Sequence, residues 1–203
     1  MIIYAIGRNY VAHIQELGNE VPTEPVVFIK RSNSIQNQRE PFVFPSFTND
    51  IHFEGEIVLR ISKGLNLNEK VANYTEVCNQ ITVGLDLTAR DLQNTLKDKG
   101  LPWEKCKSFN GATVLGEFFP LHSLPSNQEI NFSLLKNNQK VQQASSNLMI
   151  YNFTSIINHL TPYFSLEPND IIFTGTPAGV AKIEIGDHFK GYLEHQLVLD
   201  WKV

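Results

Sequence analysis

Cysteine is scarce: Cys78 and Cys106 are the only two in 203 residues. Neither a disulfide framework nor a Cys-x-x-Cys metal motif can be built from them, so buried, reduced thiols are expected. No Lys/Arg cluster interleaved with aromatics is present. With 17 basic and 21 acidic residues the formal charge is -4, and electrostatics gives no reason to expect nucleic acid or an anionic membrane as partner. No apolar run approaches the roughly 20 residues of a membrane helix. The opening stretch from Met1 to Arg8 lacks the basic region and apolar length of a secretion signal. A cytoplasmic enzyme or binding protein is therefore expected. Repeats, linkers and low-complexity segments are absent too.

What is present is the material of a core. Hydrophobic residues make up 42% of the chain and charged residues 19%, with 13 Phe. That balance suits one compact domain over 1–203. Strands are expected at 2–6, 26–30, 52–61, 81–87, 113–118, 129–136, 139–145 and 170–174, with two more after 187. Helices are expected at 10–17, capped by Gly7 or Asn9, at 70–79, and at 155–164. A fourth should follow residue 88, with Thr88 and Asp91 as its capping box and Gly100 as its left-handed terminus. Asn137-Asn138 suits a two-residue turn in a hairpin over 128–143. The class is α+β, mostly β.

The run His52-Phe53-Glu54-Gly55-Glu56-Ile57-Val58-Leu59-Arg60-Ile61 carries the most information. With strand periodicity, Phe53, Gly55, Ile57, Leu59 and Ile61 form a core face, and Glu54 and Glu56 share the other. Two carboxylates then lie roughly 6.5–7 Å apart along the backbone. Held that close they repel unless a cation or a shared proton sits between them, which points to a hard divalent metal. A strand face in water explains the pair as well.

Other positions are equally double-edged. Asp86, where an apolar strand gives way to a helix, is either a third ligand or a carboxylate serving the helix N-terminus. His13 and Glu16, three apart on a helix, form either a base with its orienting carboxylate or a surface pair. Lys107 could direct a cation at an anionic substrate or be simply solvated. The turn Gly175-Thr176-Pro177-Ala178-Gly179 could hold a carboxylate with its amides and the Thr176 hydroxyl, or be an ordinary tight turn.

Taken in order, these blocks resemble the fumarylacetoacetate hydrolase family, in its small acylpyruvase/oxaloacetate decarboxylase-like branch. The shared blocks are Gly7-Arg8-Asn9-Tyr10 with His13, Pro25 through Lys30, His52-x-Glu54-x-Glu56, Leu85-Asp86-Leu87-Thr88-Ala89-Arg90-Asp91-Leu92-Gln93, Gly100-Leu101-Pro102-Trp103 through Lys107-Ser108-Phe109, and Thr174-Gly175-Thr176-Pro177-x-Gly179-Val180. Two departures stand out: Arg31 follows Lys30 where the family commonly has Pro, and Gly55 replaces a larger residue often found between the glutamates. The resemblance implies a mixed β roll with peripheral helices, usually a homodimer. It implies Mg²⁺ or Mn²⁺ on Glu54, Glu56 and Asp86, a water-activating dyad of His13 and Glu16 on a lid, and Lys107 as the active-site lysine. Arg8, Arg90, Gln93 and Thr176 match pocket positions. The implied reaction is C–C hydrolysis of an acylpyruvate-type 2-oxo acid, with oxaloacetate decarboxylation at the same site. The alternatives are isomerisation or hydration of unsaturated 2-oxo-diacids, and a non-catalytic metal or small-ligand binding protein.

Overall fold

A computed structural model describes residues 1–124 and 129–203. In chain order its strands are β1 (Ile3–Gly7), β2 (Val26–Lys30), β3 (Ile51–Phe53), β4 (Gly55–Ile61), β5 (Cys78–Asp86), β6 (Thr88–Ala89), β7 (Thr113–Leu115), β8 (Phe119–Pro120), β9 (Asn131–Lys136), β10 (Gln139–Ser145), β11 (Ile171–Phe173), β12 (Ala181–Lys182), β13 (His188–Leu193) and β14 (Gln196–Lys202). The α-helices are short: α1 (Val11–Glu16), α2 (Arg90–Asp98), α3 (Glu104–Lys107) and α4 (Phe153–Leu160).

The main sheet runs β2-β1-β11-β4-β5-β7, with β8 also on β5. The β1–β11 pair is parallel and its other pairs are antiparallel. A second sheet runs β10-β9-β13-β14, and a small third one β12-β3-β6. Together they form the expected mixed β roll with helices at its edge. Ile57, Leu59 and Ile61 alternate onto the face that meets Phe132, Leu134, Phe189 and Trp201 of the second sheet. Each such side chain contributes about 1.5–3 kcal/mol when fully buried. Val58 points the other way, into a separate cluster with Ile3, Ala5, Ile171 and Phe173. Both faces of β4 are therefore covered, and the reading of a strand half in water does not hold.

Local expectations fail where tertiary contacts compete with pattern. Residues 70–79 do not form an α-helix. Asn73 and Glu76 build a capping box around a single 3₁₀ turn, Tyr74–Glu76, and Cys78 already starts β5. The apolar spacing there serves a turn followed by a strand. Asn9 does not cap α1, because its side chain bonds Tyr151 and Thr174 instead. The Thr88/Asp91 capping box is absent: Ala89 is the N-cap, Thr88 sits in β6, and Asp91 accepts from the Thr48 hydroxyl at 2.6 Å. The strand expected over 113–118 stops at Leu115, and Glu117 bonds the carbonyl of Val198.

Other expectations hold. Gly100 ends α2 at φ +63°. Asn137 and Asn138 both take positive φ in the β9–β10 turn, though Gln128 lies outside the described residues. The helix expected at 155–164 spans Phe153–Leu160, capped by Asn152. Both thiols are free and buried, and burial raises them to about 12 for Cys78 and about 11 for Cys106.

Candidate active site

Register brings the three acids together. On the small sheet Ile51 faces Ala89 and His52 faces Thr88; on the main sheet Gly55 faces Leu85 and Glu56 faces Gly84. One continuous register thus passes from β3–β6 to β4–β5, and Glu54, at the break between β3 and β4, stands across from Asp86. The amide of Asp86 donates to the carbonyl of Glu54 at 2.8 Å. Opposed residues in an antiparallel pair project to one side, and so do residues two apart. One carboxylate oxygen from each of Glu54, Glu56 and Asp86 lies within 4.8 Å of the others. All three residues are buried, with relative exposures of 5%, 2% and 0%.

Three buried acids need cations, and the fold supplies them unevenly. From α3, the Lys107 ammonium donates to Glu54 Oε2, Asp86 Oδ2 and the Thr88 hydroxyl, each at 2.7 Å. Burial opposes its charge, but Asp86 and Glu54 overcome that and raise its pKa above 10.5. The Arg90 guanidinium, at the start of α2, pairs with Glu54 and also donates to Gln93. The end of β2 adds Lys30, fully buried, which bonds Asp86 and the carbonyl of Ala112. Burial pulls the Lys30 ammonium below 10.5, and the Asp86 charge resists that shift.

Glu56 is the exception. Among the described residues it has no ion pair, and its Oε2 accepts only the amide of Gly175, at 2.6 Å. Burial, then the charges of Asp86 and Glu54, push its pKa well above the ordinary range. Burial works in the same direction on Glu54, but Lys107 and Arg90 beside it outweigh this and hold its pKa low. An all-oxygen set with one carboxylate left short of positive charge fits a hard divalent cation.

Beside the triad, α1 carries His13 and Glu16. The imidazole is buried, its Nδ1 3.1 Å from Glu16 Oε2. Glu16 Oε1 accepts the amide of Gly179 at 3.0 Å, which pins the helix to the turn after β11. A Cβ on Gly179 would lie 2.1 Å from the carbonyl oxygen of Val141, and its φ is +103°, so this turn requires glycine. At the other end of α1, Asn9 ties the chain to Tyr151 and Thr174.

A cleft of about 90 Å³ joins these groups. It contains Arg8, His13, Glu54, Glu56, Asp86, Arg90, Gln93, Lys107 and Thr176, nine of the ten site residues expected from the sequence. The tenth, Glu16, touches the cleft through His13. Phe28 and Trp103 form an apolar wall, with the Lys107 ammonium 5.2 Å from the Phe28 ring centre. The Thr176 hydroxyl is engaged already: it donates to the carbonyl of Gly55 and accepts from the Gln142 amide, both at 2.9 Å. Sequence reasoning gave no role to Lys30 or Gln142, and offered Asn9 only as a helix cap. A lysine closing the apolar strand Val26–Lys30 was the one available signal.

Residues 2–199 match the family described as Fumarylacetoacetate (FAA) hydrolase C-terminal. This chain belongs to that family. A relative named Oxaloacetate tautomerase fahd-1, mitochondrial, from Caenorhabditis elegans, is 37% identical over 91% of this chain and 86% of its own length. A fumarylacetoacetate hydrolase family protein from Yersinia pestis superposes with a TM-score of 0.90 at 32% identity, covering 100% of this chain and 92% of the other. The fumarylpyruvate hydrolase from Pseudomonas aeruginosa, solved with Mn²⁺ and pyruvate, gives a TM-score of 0.87 at 28% identity, covering 100% and 90%. No helix among the described residues is long and apolar enough to cross a membrane.

Proposed function

We propose that this member of the family is a divalent-metal enzyme for small 2-oxo acids, and that its leading reaction is the enol–keto interconversion of oxaloacetate. The observation that carries this reading is the buried triad sharing one cleft with a carboxylate-oriented histidine and a buried lysine. The cleft volume is far below the roughly 300–1,000 Å³ of drug-sized ligand sites and favours a short acid. The name of the worm relative supports the choice of oxaloacetate.

Glu54, Glu56 and Asp86 would hold Mg²⁺ or Mn²⁺, which when bound supplies Lewis-acid stabilisation of negative charge on substrate oxygens. Arg8 and Arg90 would orient the substrate carboxylates, with Gln93 and Thr176 on the pocket wall. With Nδ1 turned to Glu16, the His13 Nε2 is the nitrogen available to take or return a proton at C3. A positioned base of this kind contributes about 10²–10⁴ in rate. Lys107 keeps an ammonium beside the oxygen that gains charge. Phe28 and Trp103 limit water around it.

The second reading is C–C hydrolysis of an acylpyruvate, in which His13 would take the proton from attacking water. It is favoured by the fold shared with the fumarylpyruvate hydrolase. Decarboxylation of oxaloacetate would draw on the same charge stabilisation. Family membership also leads us to propose a homodimer, checked by light scattering. The cytoplasmic location expected from the sequence is kept as a proposal to be checked by cell fractionation, since the worm relative is named mitochondrial.

The deciding assay supplies Mg²⁺ or Mn²⁺ and follows enol-oxaloacetate and a set of acylpyruvates side by side. His13→Ala should lower whichever reaction is native by about 10²–10⁴. Glu54→Gln should abolish metal dependence. Metal-dependent melting without turnover of any of these acids would leave only a binding protein.

A further inference from the structure

Behind the triad, out of reach of the cleft, a glutamine joins the two segments that hold Glu56. Gln142 lies on β10, in the second sheet, and is 2% exposed. A register shift between Lys140 and Gln142 leaves Val141 unpaired, so Lys140 stays in solvent while Gln142 turns inward beside Ala144. Both hydrogens and the oxygen of its side-chain amide are engaged there. Its Oε1 accepts the backbone N–H of Gly55 at 2.9 Å. Its Nε2 donates to the Thr176 hydroxyl and to the carbonyl of Pro177, both at 2.9 Å. The Thr176 hydroxyl closes the ring by donating to the carbonyl of Gly55 at 2.9 Å.

The two ends of this ring matter for different reasons. Gly55 is the residue between Glu54 and Glu56, so the orientation of its peptide groups decides whether those side chains converge. Thr176 follows Gly175, whose amide holds Glu56 Oε2. The fit is tight: a Cβ on Gly55 would come within 2.6 Å of Gln142 Oε1 and 3.0 Å of Leu134 Cδ2. A side chain at this position would have to displace the Gln142 amide from the Gly55 N–H.

We infer that Gln142 is a positioning residue for the metal site: its side-chain amide clamps the Gly55 peptide and the Thr176 turn together, and thereby holds Glu54 and Glu56 in convergence. The inference rests on the metal-enzyme reading above. It assigns Gln142 no contact with substrate or ion. Loss of groups that orient metal ligands typically weakens metal affinity by about 10- to 100-fold.

The test is Mn²⁺ binding by calorimetry on chelator-treated, full-length protein, with each melting temperature measured alongside. Gln142→Met keeps the length of the side chain and removes all three hydrogen bonds. Gln142→Glu keeps an acceptor for Gly55 and loses both donors, and serves if the methionine variant does not fold. Leu199→Ala, a cavity in the same core away from Gly55, is the control for destabilisation alone. The expected result is Mn²⁺ affinity at least tenfold weaker for Gln142→Met, with Leu199→Ala within about twofold of wild type at a similar loss of melting temperature. Wild-type binding with an unchanged Gln142→Met, or equal weakening in Leu199→Ala, overturns the clamp alone. No Mn²⁺ binding by wild type overturns the metal reading and the clamp with it.

Discussion

Replacing Glu56 with glutamine should remove a pH dependence from the metal-free protein. Glu56 is buried against Asp86 and Glu54 without a cation of its own, and its pKa lies well above the ordinary 4.5. A raised pKa means that the folded state holds this proton more tightly than the unfolded chain does. The resulting stability is complete below the unfolded value of 4.5 and is lost as pH rises through the folded value. Across that window each pH unit costs about 1.4 kcal/mol. For a chain of this size that is roughly 3–6 °C of melting temperature per unit. The substituted amide would keep an oxygen for the Gly175 N–H and would not titrate. In chelator, the melting curves of Glu56→Gln and wild type should therefore nearly coincide at pH 5 and diverge towards pH 8, with the variant more stable. Saturating Mg²⁺ should close the gap by stabilising wild type, because the ion replaces the proton. Parallel curves in chelator, or equal Mg²⁺ stabilisation of the variant, would refute this account of Glu56. Glu54 acts on the acid side, since its lowered pKa gives stability present above the ordinary range and lost as pH falls, and both proteins share that limb.

Two further substitutions probe the supports. Lys30→Met leaves Asp86 short of a buried cation partner and should cost about 3–5 kcal/mol, read by thermal melts in chelator. A melting temperature within about 2 °C of wild type would show that Lys107 alone neutralises Asp86. Gly179→Ala drives a Cβ into the Val141 carbonyl at an unfavourable φ and should detach Glu16 from its turn. Turnover should then fall further than Mn²⁺ affinity; proportional losses in both would argue that α1 does not carry the base.

Much of the site was legible because it sits in local pattern. The alternation around Gly55 predicted that Glu54 and Glu56 would share a face, and they do. The three-residue spacing of His13 and Glu16 predicted contact on a helix, and the 3.1 Å approach follows. Each of these had an ordinary alternative at the level of sequence. For the glutamates burial removed it: an acid with 2% exposure is not a solvated strand residue. For the helical pair only the imidazole is buried, and Glu16 stays exposed. Asp86 lies at the end of β5, four residues ahead of α2, and its oxygens accept from Lys30 and Lys107, not from helix amides.

By itself, then, the sequence determined the class, the strand bearing the two glutamates and the identity of the acidic, basic and imidazole groups, because period-two and helical spacing are properties of neighbours along the chain. Tertiary structure decided which charges meet. Glu54 faces Asp86 only through a register carried across two sheets, Lys30 and Lys107 reach the same acid from separate elements, and a one-residue bulge turns Gln142 inward. Register and bulges depend on pairing between distant segments, so no local period encodes them.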